Sequence, residues 1–254
     1  MRKILLMSGL SKGGGAERVL SILANDFSDN GYSVVFSSFY NNGYYPLNNK
    51  VKKKVFNSSN KLLLLYDIRR YVRLNKFDVV ICFMYPISYT LCIALLGMRN
   101  KPFIISSERS DPSKPTHHKI EKYLRIWSYN SSNHVVFQTE QARNYFKNSL
   151  KCKTSIIENP ISDNLPEPYK GIRKKNIIAI GRLTEQKNFE LLIRVFLKIS
   201  KEYKEYRLDI FGEGPLKSRL ESLICELSLN EVVTIHDFTD DIYNILNESG
   251  MYIS

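Results

Sequence analysis

Two cations five positions apart form the clearest candidate for binding a diphosphate. Arg182 and Lys187 lie in the segment 181–188, Gly-Arg-Leu-Thr-Glu-Gln-Lys-Asn, between a predicted strand and a predicted helix. Arginine binds an anion through its planar fork and lysine as a compact charge, so both can neutralise one diphosphate. Two solvated cations on an ordinary loop are the alternative interpretation. Asn188 is predicted to cap the following helix.

Glycines occupy two further turns between a strand and a helix. Gly14 and Gly15 belong to the segment 13–18, Gly-Gly-Gly-Ala-Glu-Arg, whereas Glu213 and Gly214 belong to 211–215, Phe-Gly-Glu-Gly-Pro. Glycine lets a backbone approach a ligand closely, and a helix N-terminus attracts an anion. The spacing is not Gly-x-Gly-x-x-Gly, so a dinucleotide is only weakly indicated. For the first segment a loose connecting loop is the alternative; near the second we expect a nucleoside.

Composition places the chain among ordinary globular proteins. Of its 254 residues, 43% are hydrophobic and 24% are charged, which excludes disordered, collagenous and coiled-coil chains. The four cysteines show no close pairing motif and fit a reducing cytosol. The net charge of +12 is uneven, with +14 in residues 1–160 and −2 in residues 161–254.

The basic first part predicts a negatively charged partner. No zinc-ligand spacing, RNA-binding aromatic signature or helix-turn-helix pattern accompanies the charge, so we expect no nucleic acid. The basic residues of 50–54 and 119–125, with Arg69, Arg70 and Arg73, suit an anionic membrane surface. A merely solvated surface is the alternative interpretation.

One uncharged stretch of 20 residues, 79–98, is long enough to span a bilayer. Pro86 lies near its middle, among polar Tyr, Ser and Thr residues. We therefore interpret the stretch as a buried strand, a turn and a buried helix, in which Cys82 and Cys92 are buried thiols.

Apolar runs that alternate with amphipathic runs predict an α/β fold with mostly parallel sheets. The predicted strands are 4–8, 33–39, 79–83, 103–106, 135–138, 154–157, 177–180, 207–211 and 232–235, with a further strand starting at 251. The predicted helices are 16–27, 62–74, 87–96, 120–128, 140–147, 189–203, 216–227 and 242–247. The polar segment 161–175, which is rich in proline, is predicted to link a domain of residues 1–160 to a partial domain of residues 176–254.

At these motifs the chain resembles the family 4 glycosyltransferases, which have two Rossmann-like domains in the GT-B fold. The matching segments are 13–18, 156–160, 181–188 and 212–215. The segment 106–112, Ser-Ser-Glu-Arg-Ser-Asp-Pro, is similar to members that build bacterial capsule, O-antigen and related polysaccharides. The resemblance implies a retaining hexosyltransferase that moves a sugar from a nucleotide-sugar, such as a UDP-sugar, to a lipid-linked or growing glycan. It also implies no metal or other cofactor. From the cysteines and the basic first part, we expect a cytoplasmic location, peripheral at the inner face of the cell membrane.

The resemblance also assigns roles to individual residues. Arg182 and Lys187 match the pair that holds the donor diphosphate. Arg109 stands where many members have a histidine facing the reacting sugar, so these three residues are the predicted catalytic set.

Four donor-binding residues follow from the same resemblance. Gly14 and Gly15 match the loop that approaches donor and acceptor, and Glu213 and Gly214 lie near the nucleoside. His117 and His118 are expected at the surface.

The chain departs from the family pattern at its end. A pair of glutamates seven residues apart would follow the strand that starts at Met251, and a helix would cross back to the first domain. Neither is within the 254 residues, so we expect a fragment whose own activity is open. An inactive lipid- or partner-binding module and a GT-B nucleotide-sugar epimerase are the alternative functions.

Overall fold

A computed structural model describes residues 1–10, 14–41, 43, 45–113, 119–160, 165–237, 239 and 241–253, with Lys119 described by its backbone alone. Gly13, His117 and His118 lie outside the described residues, as does part of the predicted linker. The chain divides into two compact units, Met1–Ile161 and Ser162–Ser254, each with a sheet of its own.

The first unit is built on a seven-stranded parallel sheet with the strand order β3-β2-β1-β4-β5-β6-β7. Its strands are β1 Lys3–Met7, β2 Ser33–Ser38, β3 Lys52–Val55, β4 Val79–Phe83, β5 Phe103–Ser107, β6 His134–Phe137 and β7 Lys153–Ile156. Its helices are α1 Gly15–Asp29, α2 Lys61–Asn75, α3 Tyr85–Ala94, α4 Lys119–Asn130 and α5 Glu140–Phe146.

Alternating side chains of the central strands fill two separate cores. Leu5 of β1 packs in one core with residues of α2 and α3, and Leu6 packs in the other with residues of α1. Both leucines are fully buried, as expected for the centre of a parallel sheet that is covered on both faces.

The uncharged stretch forms a strand and a helix, as predicted. Met84, between β4 and α3, has a φ of 74°, which makes the turn tight. Cys82 and Cys92 are buried in this part of the fold. Within the described ranges, no helix combines the length and the apolar composition that crossing a membrane requires.

The second unit has a four-stranded parallel sheet with the order β10-β9-β8-β11. Its elements are β8 Lys174–Ile180, a 3₁₀ turn Glu185–Lys187, α6 Phe189–Glu202, β9 Arg207–Phe211, α7 Lys217–Glu226, β10 Val233–His236, α8 Ile242–Glu248 and β11 Ser249–Ile253. Its core lies between the sheet and α6 and α7, around Ile193, Phe196 and Leu208.

Each sheet changes the direction of its strand order at one place. In the first unit that place is between β1 and β4, and in the second it is between β8 and β11. Ligands of open parallel sheets bind at such switch points, outside the carboxyl ends of the strands. The loops that follow β1 and β8 carry Gly14 and Gly15 in one unit and the segment 181–188 in the other.

Candidate functional site

The side chain of Lys187 lies directly over Gly181 in the loop after β8. A Cβ atom at Gly181 would stand 3.1 Å from Lys187 Cε and 3.3 Å from its Cδ. The turn that carries Lys187 is closed by its own N–H, which donates to the Thr184 carbonyl at 3.0 Å. Glycine at 181 therefore leaves room for the lysine stem to cross the end of the strand.

Arg182 and Lys187 are both exposed. Across the part of the chain that the structure describes, neither side chain forms a hydrogen bond or an ion pair with another residue. The neighbouring Glu185 and Glu190 are instead paired with Arg219 of α7, at 3.4 and 2.9 Å. The two cations are thus left available to an anion at the switch point of this sheet.

The loops after β8 and β9 pack backbone against backbone. A Cβ atom at Gly212 would stand 1.9 Å from the Gly181 carbonyl oxygen, and one at Gly214 would stand 2.5 Å from the Leu183 carbonyl oxygen. The Leu183 N–H also donates to the Glu213 carbonyl at 2.9 Å. This close packing explains why glycine stands at both positions, a reason that the sequence alone did not indicate. The Glu213 side chain is exposed, and donor binding by Glu213 and Gly214 stays a prediction.

The capping role predicted for Asn188 is wrong. Its side chain makes no capping hydrogen bond, and its backbone has φ 50° and ψ 42°. Asparagine tolerates this left-handed conformation better than most residues. Asn188 therefore joins the 3₁₀ turn to α6 through its backbone.

Helix α1 carries a buried carboxylate beside the loop after β1, which sequence reasoning missed. Glu17, in the first turn of α1, accepts a hydrogen bond from Ser8 Oγ at 2.9 Å. A Cβ atom at Gly14 would lie 2.6 Å from Glu17 Oε2, whereas one at Gly15 would have no atom of the described residues within 4 Å. Packing inside the fold therefore accounts for Gly14, and the described residues leave the space around Gly15 open. A glutamate just after a glycine turn was the only sequence signal for this contact.

Arg109 follows β5 and is half-buried. Its Cζ atom lies 4.0 Å from the centre of the Phe83 ring, and its Nη1 donates to Asn159 Oδ1 at 2.6 Å. Burial lowers the pKa of Arg109 to about 10, which leaves the side chain charged at neutral pH. Its Nε atom and Ser107 Oγ are buried without a hydrogen-bond partner among the described residues. Two such atoms at one strand end make this edge a candidate for a polar ligand.

Next to Arg109, a buried network fixes the end of β5. The Glu108 carboxylate accepts hydrogen bonds from two side chains of α4, the Arg125 guanidinium and the Tyr129 hydroxyl. It also accepts from the backbone N–H groups of Arg109 and Ser110, and both of these distances are 3.0 Å. Burial lowers the pKa of Arg125, but the Glu108 carboxylate outweighs it and raises that pKa overall. The position of Arg109 thus depends on an ion pair between two elements, which sequence reasoning missed.

Two of the basic residues assigned to lipid have structural roles instead. Arg125 is buried in its ion pair with Glu108. Arg69 of α2 donates to the Ala94 and Leu96 carbonyls at 3.0 and 2.6 Å, which satisfies the C-terminal end of α3. The Arg125 guanidinium is therefore not available to a membrane, and Nη1 of the half-buried Arg69 is occupied by the two α3 carbonyls.

Comparison with known families agrees with this arrangement. Residues 13–165 match the family described as Glycosyltransferase Family 4, and residues 166–254 match the one described as Glycosyl transferases group 1. The chain belongs to glycosyltransferase family 4. The family resemblance inferred from the motifs is confirmed.

Individual relatives of this glycosyltransferase include bacterial proteins. It is 29% identical over 258 residues to the amylovoran biosynthesis glycosyltransferase AmsD of Erwinia amylovora, with 98% of this chain and 72% of that protein covered. It is 24% identical over 243 residues to an alpha-1,4-N-acetyl-D-galactosaminyltransferase of Campylobacter jejuni, with 90% and 66% covered. The chain thus spans about two thirds to three quarters of the length of these relatives.

Solved structures confirm the predicted GT-B fold. Sucrose-phosphate synthase of Thermosynechococcus elongatus superposes with a TM-score of 0.81 at 13% identity, over 99% of this chain and 75% of that one. The Anabaena protein HepE in complex with UDP-glucose gives 0.78 at 16% identity, over 99% and 73%.

Proposed function

We propose that this glycosyltransferase takes its sugar from a UDP-sugar and that Arg182 and Lys187 hold the donor diphosphate. The observation that carries the proposal is the loop after β8. It presents two exposed cations, unpaired among the described residues, at the switch point of a parallel sheet. The solved structures titled as complexes of HepE with UDP-glucose and of TarM with UDP support the choice of nucleotide.

The chemistry follows from where charge develops. Breaking the bond between the sugar and the phosphate builds negative charge on the departing diphosphate. Fixed cations stabilise that charge as it forms and need no reorganisation at that moment. In our proposal Arg182 and Lys187 supply this stabilisation without a metal ion, and Arg109 contacts the reacting sugar. Gly15, beside open space, is proposed to allow the donor to approach α1.

The acceptor is proposed to be a lipid-linked glycan of bacterial surface polysaccharide synthesis. The name of AmsD refers to amylovoran biosynthesis, and that of the Campylobacter relative specifies a glycan on diphospho-undecaprenol. A diphospholipid acceptor lies in a membrane, so we further propose that the protein works peripherally at the anionic inner face of the cell membrane. We also propose that the transferred sugar keeps its anomeric configuration, because the family resemblance implies a retaining enzyme.

Replacing either cation tests the diphosphate assignment. We expect Arg182→Ala and Lys187→Ala each to lower the rate of sugar transfer by about 10²–10³, the usual effect of removing one donor to a developing anion. Arg182→Lys should recover only part of the rate, because lysine lacks the two-pronged fork. The measurements are transfer from radiolabelled UDP-sugars to diphospholipid acceptors, UDP affinity by calorimetry, and a thermal melt.

Lys198→Ala is the matched control, because it removes one exposed positive charge from α6. It should leave transfer, UDP affinity and melting temperature unchanged. Near-normal transfer in Arg182→Ala or Lys187→Ala would refute the assignment of that residue. Product analysis separates the alternatives: an epimerised nucleotide-sugar would indicate an epimerase, and UDP binding without any sugar product would indicate an inactive module. Full activity with EDTA is expected if no metal takes part.

A further inference from the structure

Helix α2 carries large apolar side chains on both of its faces. Its inner face is accounted for by the core, where Ile68 and Val72 are buried and Leu64 and Leu65 pack beside them. Its outer face exposes Leu62 (76%), Leu63 (57%), Tyr66 (58%) and Leu74 (64%). A helix that only covers a sheet has a polar outer face, so these four side chains need another explanation.

The outer residues form one continuous surface. At 3.6 residues per turn, Leu62, Leu63, Tyr66, Asp67, Arg70, Arg73 and Leu74 fall within an arc of about 140°. We call these seven residues the outer face of α2. Both arginines on it are exposed, and the ion pairs found between described residues involve neither of them.

The positive charge of the first unit is concentrated at the same place. Residues 50–76 hold nine Lys or Arg and one Asp, a net charge of +8, which is more than half of the +14 found in residues 1–160. Lys54 of β3 connects this strand to α2, since its Nζ atom lies 5.5 Å from the centre of the Tyr71 ring. Lys52 lies on the same side of β3 as Lys54, because alternate side chains of a strand point to one face of the sheet, and Lys52 is exposed.

We infer that the outer face of α2 is the surface on which this protein docks to an anionic lipid bilayer. Leucine and tyrosine on one face of a helix, mixed with basic residues, are typical of helices that lie in the membrane interface. The leucines and Tyr66 enter the boundary between headgroups and acyl chains, and Arg70, Arg73 and Lys52 contact lipid phosphates. Charge complementarity selects the bilayer over a second copy of the chain, because two such basic faces would repel each other.

This inference rests on the proposed peripheral membrane location and specifies the surface responsible for it. It also narrows the sequence-based assignment, because Arg125 is buried in its ion pair and Arg69 is bonded to the end of α3, so neither belongs to the docking surface.

Vesicle sedimentation tests the surface without any sugar transfer. The protein should bind vesicles of phosphatidylglycerol and phosphatidylcholine but not vesicles of phosphatidylcholine alone, and raised salt should weaken that binding. Leu62→Ser/Leu63→Ser and Arg70→Gln/Arg73→Gln should each lower the partition coefficient roughly tenfold or more. Leu191→Ser/Val195→Ser, which removes two exposed apolar side chains of α6, is the matched control and should bind like the wild type.

A fluorescent probe then places α2 in the lipid independently of these variants. Tyr66→Trp, combined with Trp127→Phe to remove the single native tryptophan, should shift its emission to the blue on anionic vesicles and be quenched by brominated lipid. Melting curves establish that each variant is folded.

Several outcomes would overturn the inference. Undiminished binding of both α2 variants would do so and would direct attention to Ile120 and Tyr123, which α4 exposes. Fluorescence of the Tyr66→Trp/Trp127→Phe variant that brominated lipid does not quench would also overturn it. A dimer seen by light scattering that becomes monomeric in the Leu62→Ser/Leu63→Ser variant would overturn it as well. None of these results affects the donor proposal, which depends on UDP binding and sugar transfer at Arg182 and Lys187.

Discussion

At the scale of single residues, the environment of a charge determines what it does. Arg109, Arg125 and Arg182 are the same residue type, but Arg125 is buried in an ion pair, Arg109 is half-buried over an aromatic ring, and Arg182 is exposed and unpaired among the described residues. The sequence predicted Arg109 and Arg182 as site residues through motifs. It could not assign Arg125, because Glu108 lies 17 positions away and only the packing of α4 on the sheet brings them together.

Replacing Arg125 should lower the free energy of unfolding far more than replacing a surface arginine. Arg125→Met leaves the Glu108 carboxylate buried without its cation, which typically costs 3–5 kcal/mol, so we expect a loss of about that size. Arg143→Met breaks an exposed pair with Glu140 and should cost about 1 kcal/mol or less. Urea denaturation measures both. Equal losses in the two variants would show that the buried pair contributes no special stability.

Buried thiols should resist modification that an exposed thiol does not. Burial raises the pKa of Cys92 to about 11 and that of Cys82 well above its usual value, so neither forms much of the reactive thiolate at pH 8. Cys225 is exposed. A chromogenic disulfide reagent should therefore label Cys225 at once and label Cys82 and Cys92 only after denaturation. Cys152 is only partly buried, and burial raises its pKa, so it should react more slowly than Cys225. Cys225→Ser should abolish the fast phase; native-state labelling of Cys82 or Cys92 at the rate of Cys225 would contradict their burial.

At the scale of elements, hydrophobic periodicity predicted most strands and helices and failed where that signal is absent. β4 and β9 match their predicted bounds, and the other predicted strands and helices shift at their ends by up to three residues. The edge strand β3 was missed, because Lys52, Lys53 and Lys54 look like a solvated charge cluster. Its pairing with β2 satisfies the backbone without an apolar pattern. The packing between the loops after β8 and β9 was also missed, because the sequence shows the glycines but not which backbone lies against them.

Alanine substitutions at Gly212 and Gly15 distinguish a glycine needed for packing from a glycine proposed to make room for the donor. Gly212→Ala would force a Cβ atom against the Gly181 carbonyl, so we expect a loss of stability of about 1–3 kcal/mol or more. Gly15→Ala meets no atom of the residues that the structure describes and has a helical position, so stability should stay the same or rise by about 0.4–1 kcal/mol. If the donor approaches Gly15, transfer should nevertheless fall. Thermal melts beside transfer assays measure both effects, and normal transfer in Gly15→Ala would remove that residue from the donor site.

At the scale of the whole molecule, the two units differ in charge and in the ligand proposed for each. Residues 1–160 carry +14 and expose the outer face of α2, whereas residues 161–254 carry −2 and contain the loop of Arg182 and Lys187. A negative overall balance does not prevent diphosphate binding, because Glu185 and Glu190 are paired with two arginines, Arg219 and Arg194. In residues 161–254, local pairing rather than net charge therefore decides which side chains can bind an anion.

The division of roles predicts where UDP should protect the backbone from hydrogen exchange. At 100 times its dissociation constant, a ligand stabilises the state that binds it by about 2.7 kcal/mol, which slows exchange of amides whose opening releases the ligand. We expect protection in residues 181–188 and 212–216, because their backbones are hydrogen-bonded to each other through Leu183 and should open together. The outer face of α2 should show no change with UDP and should be protected by anionic vesicles. Lys187→Ala should lose the UDP effect and keep the vesicle effect. Protection by UDP confined to the first unit would place the nucleotide elsewhere and refute the assignment of the diphosphate to the loop after β8.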